Sequence, residues 1–255
     1  MARRMKLTVA YMGRDFHGWQ RQRGQRTVQG ELENALRSLT GAGTVSVVGA
    51  GRTDAGVHAT GQTAHVDLET PIPPKSLMRA LNHRLPPAIK VRSAAAAGPS
   101  FHARGSALGK LYTYRMRWRD PSLPWLELRS ATVKRVTDPE ALAEAIRRLP
   151  GRRDWASFTV PGPGPSSTVR TLFRINSRPR NDGIDLDFIG EGFLRYQVRR
   201  MVGALLEVGW KQRSIDDLSS LLLVPRPGAA VWTAPASGLT LERVYYRRSP
   251  LLCLE

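Results

Sequence analysis

The chain has 255 residues, enough for one large domain or two modest ones, and its 41% hydrophobic residues can bury a core, which excludes global disorder. Its 39 basic residues outnumber its 21 acidic ones, which gives a formal net charge of +18. No stretch approaches the roughly 18 uninterrupted apolar residues of a membrane span. The N-terminal residues show no long apolar run typical of a secretory signal, and the lone Cys253 excludes an intrachain disulfide, so we expect a cytoplasmic protein.

The first 95 residues are predicted to fold as β-α-β-β-α-β. Apolar or alternating runs typical of strands occur at 7–12, 45–50, 62–68 and around 90–95. Between the first two runs, apolar residues recur at helical spacing after Thr27, which is a plausible N-cap. A second helix is predicted at about 76–85, ending before Pro86.

The remainder repeats that order. Strands are predicted at 110–118, 171–176, 184–189 and 239–247, and residues 161–168 have the composition of an irregular loop. A helix is predicted after Thr137, with Glu140 completing a capping box. A longer helix at about 194–208 would end at Gly209, and a short one would follow, capped by Ser214 and Asp217.

Two consecutive β-α-β-β-α-β units predict an α+β protein built from two ferredoxin-like halves. We place an N-terminal half at residues 1–105 and a C-terminal half at 106–255. The halves would form an extended antiparallel sheet with helices on one face and a central cleft for the active site.

The charge points to a polyanionic partner. Lys and Arg side chains that neutralise phosphates release condensed counterions, which supplies most non-specific affinity for nucleic acid. Thirty-three of the 39 basic residues are arginines, whose planar guanidinium grips phosphate and stacks on bases. A GC-rich genome would also favour Arg over Lys, but it would not explain the deficit of acidic residues.

The sequence contains no complete motif for binding a nucleotide cofactor or a metal. Residues 105–111 resemble a Walker A loop but have too few residues between the glycines and no hydroxyl at Leu111. The Gly49-Ala-Gly51 segment is an incomplete dinucleotide fingerprint. No two of the five histidines have i, i+4 spacing. We therefore expect neither a cofactor nor a metal.

The most informative segment is 49–59, GAGRTDAGVHA, which joins two predicted strands. Gly51 and Gly56 flank Asp54 and would let a substrate approach the backbone closely. Arg52 is near enough in sequence to help keep the Asp54 carboxylate ionised. An Asx turn at Asp54 with Arg52 as a plain surface charge explains the local pattern equally well.

Segment 49–59 resembles the signature of the tRNA pseudouridine synthase A family, in which the aspartate is catalytic. Further similar segments follow in the family's order, so the resemblance covers roughly residues 6–245: FHGWQRQ (16–22), TVQ (27–29), FHAR (101–104), KLYTY (110–114), DWASF (154–158) and VRRMVG (198–203). One departure is Met12, where the family usually carries an aspartate.

The resemblance implies roles for six residues. Asp54 would be the catalytic aspartate, Tyr112 would pack on the target base, and Arg199 would pair with the catalytic carboxylate. The remaining expected substrate-binding residues are Arg52, which would help to extrude the base, His58 and Arg104.

Each role has a simpler alternative. Tyr112 and Tyr114 point to the same side of a strand, so one of them could belong to the core. Arg199 could be a solvated helix charge, Arg52 could contact phosphate only, and the segment ending at Arg104 could be a packing strap.

The implied reaction is the isomerisation of uridine to pseudouridine at positions 38, 39 and 40 of the tRNA anticodon stem-loop. The target base must flip out of its stack to reach the carboxylate. Such an isomerase needs no cofactor, and the resemblance also implies a homodimer. The main rival is a non-catalytic RNA-binding protein, which explains the charge but not a glycine-flanked aspartate in an arginine-rich chain. A nuclease or methyltransferase is a weaker rival, because clustered carboxylates and a cofactor loop are missing from the sequence.

Overall fold

A computed structural model describes residues 2–118, 128–162 and 166–253. The helices are α1 (Val28–Thr40), α2 (Pro74–Arg84), α3 (Pro139–Arg148), α4 (Gln197–Gly209) and α5 (Ile215–Leu223). The strands are β1 (Arg3–Tyr11), β2 (Val48–Gly49), β3 (His58–Leu68), β4 (Ile89–Ala96), β5 (Gly109–Arg117), β6 (Ala131–Thr132), β7 (Gly151–Asp154), β8 (Val169–Arg180), β9 (Gly183–Gly190) and β10 (Leu239–Tyr245).

The chain divides into two compact units. Unit 1 contains residues 1–107 and 240–246, and unit 2 contains residues 108–239 and 247–255. The return of 240–246 to unit 1 is a feature that the sequence pattern did not indicate. Each unit combines helices with a mostly antiparallel sheet. No α-helix in the described ranges is both long and apolar enough to cross a membrane.

The sheet of unit 1 has β1 at its centre, paired antiparallel with β4 on one side and with β3 on the other. The short β2 pairs antiparallel with β3, and β10 pairs parallel with it. Alternate residues of β1, among them Met5, Leu7 and Val9, are fully buried. The apolar faces of α1 and α2 are buried as well, and these surfaces form the core of the unit.

In unit 2, β5, β9, β8 and β7 pair antiparallel in that order, and β6 pairs parallel with β5. Helix α3 packs against α4 and α5. Of the loop predicted at 161–168, residues 163–165 lie outside the described residues.

The helix boundaries confirm some predictions and correct others. Thr27 caps α1 by accepting from the Gly30 N–H, and Ser214 and Asp217 form the expected capping box of α5. The capping box predicted at Thr137 is wrong, because Asp138 is the N-cap of α3 and accepts from the Ala141 N–H at 2.9 Å. The Thr137 hydroxyl instead donates to the Gly209 carbonyl.

Gly209 ends α4 as predicted, but as its last helical residue, and the C-cap is Trp210. A Cβ atom at Gly209 would lie 3.0 Å from Val136 Cγ1, so the glycine accommodates a close neighbour instead of a left-handed turn. The left-handed residue after the helix is Lys211, with φ of 60°. Packing therefore accounts for a glycine that a sequence pattern assigns to capping.

Candidate active site

The Asp54 loop, residues 50–57, connects β2 with β3 in unit 1. The Val57 N–H donates to the Asp54 carbonyl at 3.1 Å, which closes a tight turn whose third residue, Gly56, has φ of +81°. That left-handed conformation favours glycine. Asp54 itself is half-buried and Ala55 is exposed. The turn therefore holds a carboxylate in a partly dry position at the end of a sheet strand.

Thr53 anchors the loop to the interior of unit 1. Its side chain is 6% exposed and shares a 2.8 Å hydrogen bond with the hydroxyl of Tyr11, at the end of β1. Its carbonyl accepts from the Trp19 N–H at 3.1 Å. Burial raises the pKa of Tyr11 well above its ordinary value, so its hydroxyl stays neutral. The residue before Asp54 is thus fixed through both side chain and backbone.

Two glycines outside segment 49–59 let the backbone of residues 13–18 approach the Asp54 loop closely. A Cβ atom at Gly13 would lie 2.0 Å from the Val57 carbonyl oxygen, and one at Gly18 would lie 2.6 Å from that of Thr53. Gly18 also has φ of +85°. Nothing in the sequence pattern marks either glycine, although Gly18 lies inside the family-like segment 16–22. Segment 16–22 therefore packs directly against the Asp54 loop.

Met12 departs from the family pattern at the start of a single helical turn, Gly13–Asp15. Its backbone N–H donates to the Ala88 carbonyl at 2.9 Å. Within the described part of the chain, no side chain caps this turn. An aspartate at this position could cap the turn with its side chain, a bond that Met12 cannot make.

The other predicted site residues of unit 1 lie in three different settings. Arg52 is exposed, and its Nε donates to Gln20 Oε1 at 3.1 Å. His58 is 1% exposed, and its Nδ1 accepts from the Gly13 N–H at 3.1 Å, which makes it a support of the loop. Arg104 is exposed in a turn that the Ser106 N–H closes by donating to the His102 carbonyl at 2.8 Å. Arg52 and Asp54 thus share one loop, and His58 supports that loop from the first residue of β3. Direct contact of His58 and Arg104 with substrate stays a prediction.

Tyr112 and Tyr114 lie in β5 of unit 2 and differ in surroundings. Tyr114 is fully buried, and its hydroxyl donates to the Pro235 carbonyl at 3.0 Å. Tyr112 is 6% exposed and packs edge-to-face on Phe193, with ring centroids 5.4 Å apart. Both side chains are therefore buried, Tyr114 completely, and the contact of Tyr112 with a base stays a prediction.

Arg199 lies in the first turn of α4 and is half-buried. Its Nε donates to the Ala234 carbonyl at 2.7 Å, and its guanidinium carbon lies 5.2 Å from the ring centroid of Tyr196. Tyr196 has φ of 61°, an unusual conformation for a residue other than glycine. These contacts fix the guanidinium, so Arg199 is not a freely solvated helix charge. Its role as partner of the catalytic carboxylate stays a prediction.

Comparison with known proteins extends over both units. The sequence profile of the tRNA pseudouridine synthase family matches residues 7–104 and 145–247. The chain is 39% identical over 246 residues to tRNA pseudouridine synthase A of Geobacillus sp. (strain WCH70), which covers 96% of this chain and 99% of the relative. It is 42% identical over 245 residues to the protein of that name from Bacillus licheniformis, with 95% and 99% coverage.

Proposed function

Because this chain belongs to the tRNA pseudouridine synthase family, it is an isomerase that acts on tRNA, and we propose that Asp54 is its catalytic carboxylate. The uridines we propose as targets are those at positions 38, 39 and 40 of the anticodon stem-loop. In the reaction the N1–C1′ bond breaks, the uracil rotates, and C5 bonds to C1′. N1 gains a proton and the hydrogen of C5 is lost to water, so no cofactor is consumed.

The braced position of Asp54 is the observation that carries this proposal. A carboxylate in an arginine-rich chain repels phosphate, so a plain RNA-binding surface gains nothing from it. Bonds from Tyr11 and Trp19 to Thr53 fix the preceding residue, and the turn closed by Val57 fixes the following ones. Such preorganisation is what a reacting group needs in order to meet a flipped base in one geometry.

We assign the remaining roles from the family resemblance. Arg52, exposed beside Asp54, helps to displace the target base, and Tyr112 packs on it. Arg199 opposes the rise in pKa that a dry site would impose on the catalytic carboxylate. Support for Arg199 comes from its fixed guanidinium, and support for Tyr112 comes from its rigid edge-to-face contact with Phe193.

We also infer that the units are ferredoxin-like and that the protein works as a cytoplasmic homodimer. In unit 1 the antiparallel order β4, β1, β3, β2 with α1 after β1 and α2 after β3 is the order of that fold. In unit 2 the order β5, β9, β8 follows the same scheme. Sedimentation of the purified protein at several concentrations tests the dimer, which a monomer at all concentrations would contradict.

The decisive experiment measures tritium release from tRNA labelled at uridine C5, because bonding of C5 to C1′ expels that hydrogen. Wild type is expected to release tritium, and Asp54→Asn is expected to release none while keeping its affinity for tRNA within a few-fold. Asp216→Asn is the matched control, since the Asp216 side chain is 99% exposed. Full tritium release by Asp54→Asn would contradict the catalytic role of Asp54. Tight tRNA binding without tritium release by wild type would favour a non-catalytic RNA-binding protein.

A further inference from the structure

An arginine-rich loop, residues 20–26 (QRQRGQR), lies directly beside the Asp54 loop and is exposed from Arg21 onward. The Trp19 N–H bonded to Thr53 and the Gln20 side chain bonded to Arg52 attach its first residues to that loop. Arg26 at its far end is paired with Glu31 at 2.7 Å. The other two arginines of the loop, Arg21 and Arg23, are both exposed.

Two buried polar side chains of α1 connect this arginine-rich loop to the interior of unit 1. Gln29 is 8% exposed and Glu33 is 2% exposed. The Gln29 Oε1 accepts from the Arg21 backbone N–H at 2.9 Å, and its Nε2 donates to Glu33 Oε1 at 2.9 Å and to the Val47 carbonyl at 3.0 Å. Glu33 Oε1 also accepts from the Val47 N–H at 3.0 Å. The pair thus connects the loop, α1 and the segment before β2.

The second carboxylate oxygen of Glu33, Oε2, has different neighbours from Oε1. Among the described residues it accepts no hydrogen bond, and the Arg21 Nε lies 3.5 Å away. The Arg21 side chain remains 63% exposed. A neutral glutamine could accept the same two bonds at Oε1 without the cost of burying a charge. The buried negative charge is therefore explained by what it does to Arg21, whose exposed guanidinium it draws toward α1.

We propose that Glu33 is a positioning residue that orients Arg21, so that Arg21 and Arg23 grip backbone phosphates of the substrate tRNA beside the reacting uridine. This rests on the proposed function. The guanidinium fork matches phosphate geometry, and a guanidinium held by a carboxylate on one edge loses less side-chain freedom when its other edge binds. Phosphate contacts hold the RNA without reading its base sequence, which suits an enzyme whose targets lie at several neighbouring positions.

The first test compares two double variants that lose equal charge. Arg21→Gln/Arg23→Gln removes the proposed grip, and Arg79→Gln/Arg84→Gln removes two exposed arginines of α2 in the same unit. Binding of unmodified tRNA is measured across a salt series. For the loop variant we expect a Kd at least about five-fold higher and a salt slope shallower by about 0.7 to 0.9 per lost contact. Equal weakening by both variants would mean that only net charge matters and would overturn the proposal.

The second test separates positioning from plain stability. Glu33→Gln is expected to raise the KM for tRNA about three-fold or more with a smaller effect on kcat, and to add nothing in an Arg21→Gln background. Equal loss in both backgrounds, or a loss confined to kcat, would overturn the positioning role. Arg21→Lys keeps the charge without the planar guanidinium, so its KM for tRNA is expected to lie between those of wild type and Arg21→Gln. If Glu33→Gln unfolds, a KM for Arg21→Lys equal to that of wild type would overturn the proposal. Failure of the proposed function would show independently, as absence of tritium release by wild type.

Discussion

The Trp19 backbone N–H donates to the Thr53 carbonyl across 3.1 Å, so the residue before Asp54 is fixed by a segment from much earlier in the chain. The contact is possible because Gly18 has no side chain where a Cβ would lie 2.6 Å from the same carbonyl oxygen. The position of Asp54 thus depends on residues outside segment 49–59.

Gly18→Ala is expected to lower both turnover and stability. Alanine at φ of +85° costs about 1–2 kcal/mol, and its methyl group would displace the Thr53 carbonyl and with it Asp54. Gly41→Ala is the matched control, since Gly41 has φ of +68° but nothing within 4 Å of its Cβ position and lies outside both the Asp54 loop and the arginine-rich loop. Thermal melts and tritium release should show a similar backbone cost in both variants and lost turnover only in Gly18→Ala. Equal turnover would refute the bracing of Asp54 by this segment.

Thr53→Val is expected to destabilise the protein by about 1–3 kcal/mol, because it removes a partner from the buried Tyr11 hydroxyl. Combined with Tyr11→Phe, its cost should be clearly less than the sum of the single variants, since both remove the same bond. Urea unfolding of the four proteins measures this coupling. Strict additivity would show that the Tyr11–Thr53 bond does not contribute to stability.

His65 should make the stability of the protein sensitive to mild acid. Burial, then the nearby positive charge of Arg4 and the neighbouring His102, lower the pKa of His65 below its ordinary 6.5, while Asp67 opposes them. The folded pKa is the lower one, so the unfolded chain binds the proton first. The stabilising contribution is therefore complete above about pH 6.5 and is lost as the pH falls below it.

The measurement compares unfolding free energies from about pH 7 to about pH 5. The His65 Nδ1 accepts from the Ala103 N–H at 3.0 Å, and His65→Asn can keep that acceptor without titrating. This variant should lose less stability on acidification than wild type. His83→Asn, which removes an exposed histidine of α2, should follow the wild-type curve. Identical curves for all three proteins would contradict the role of His65.

Asp138→Ala is expected to destabilise the protein by about 1 kcal/mol, because Asp138 is the N-cap of α3. The bond from the Ala141 N–H is also the main reason that the pKa of Asp138 lies below its ordinary value. Glu140→Gln, which would break a capping box at Thr137, should change stability by less than about 0.5 kcal/mol. The reverse ranking in urea unfolding would restore the capping box that the sequence suggested.

Much of this protein was predictable from the sequence because the signals are local. Helical periodicity with Thr27 and Ser214 as caps fixes two helix starts within a few residues, and the glycines around Asp54 mark a turn. The excess of arginine indicates a polyanionic substrate through charge alone. The family resemblance likewise rests on short segments that can be read one at a time.

The tertiary structure decided what depends on distant partners. The close approach of Val136 to Gly209 and the burial of both Tyr112 and Tyr114 depend on side chains that the sequence does not place side by side. The pairing of β10 with β3 and the support of Thr53 by Trp19 are also long-range. Local propensity fixes elements because neighbours along the chain meet in every conformation, whereas packing and buried hydrogen bonds exist only once the chain has folded.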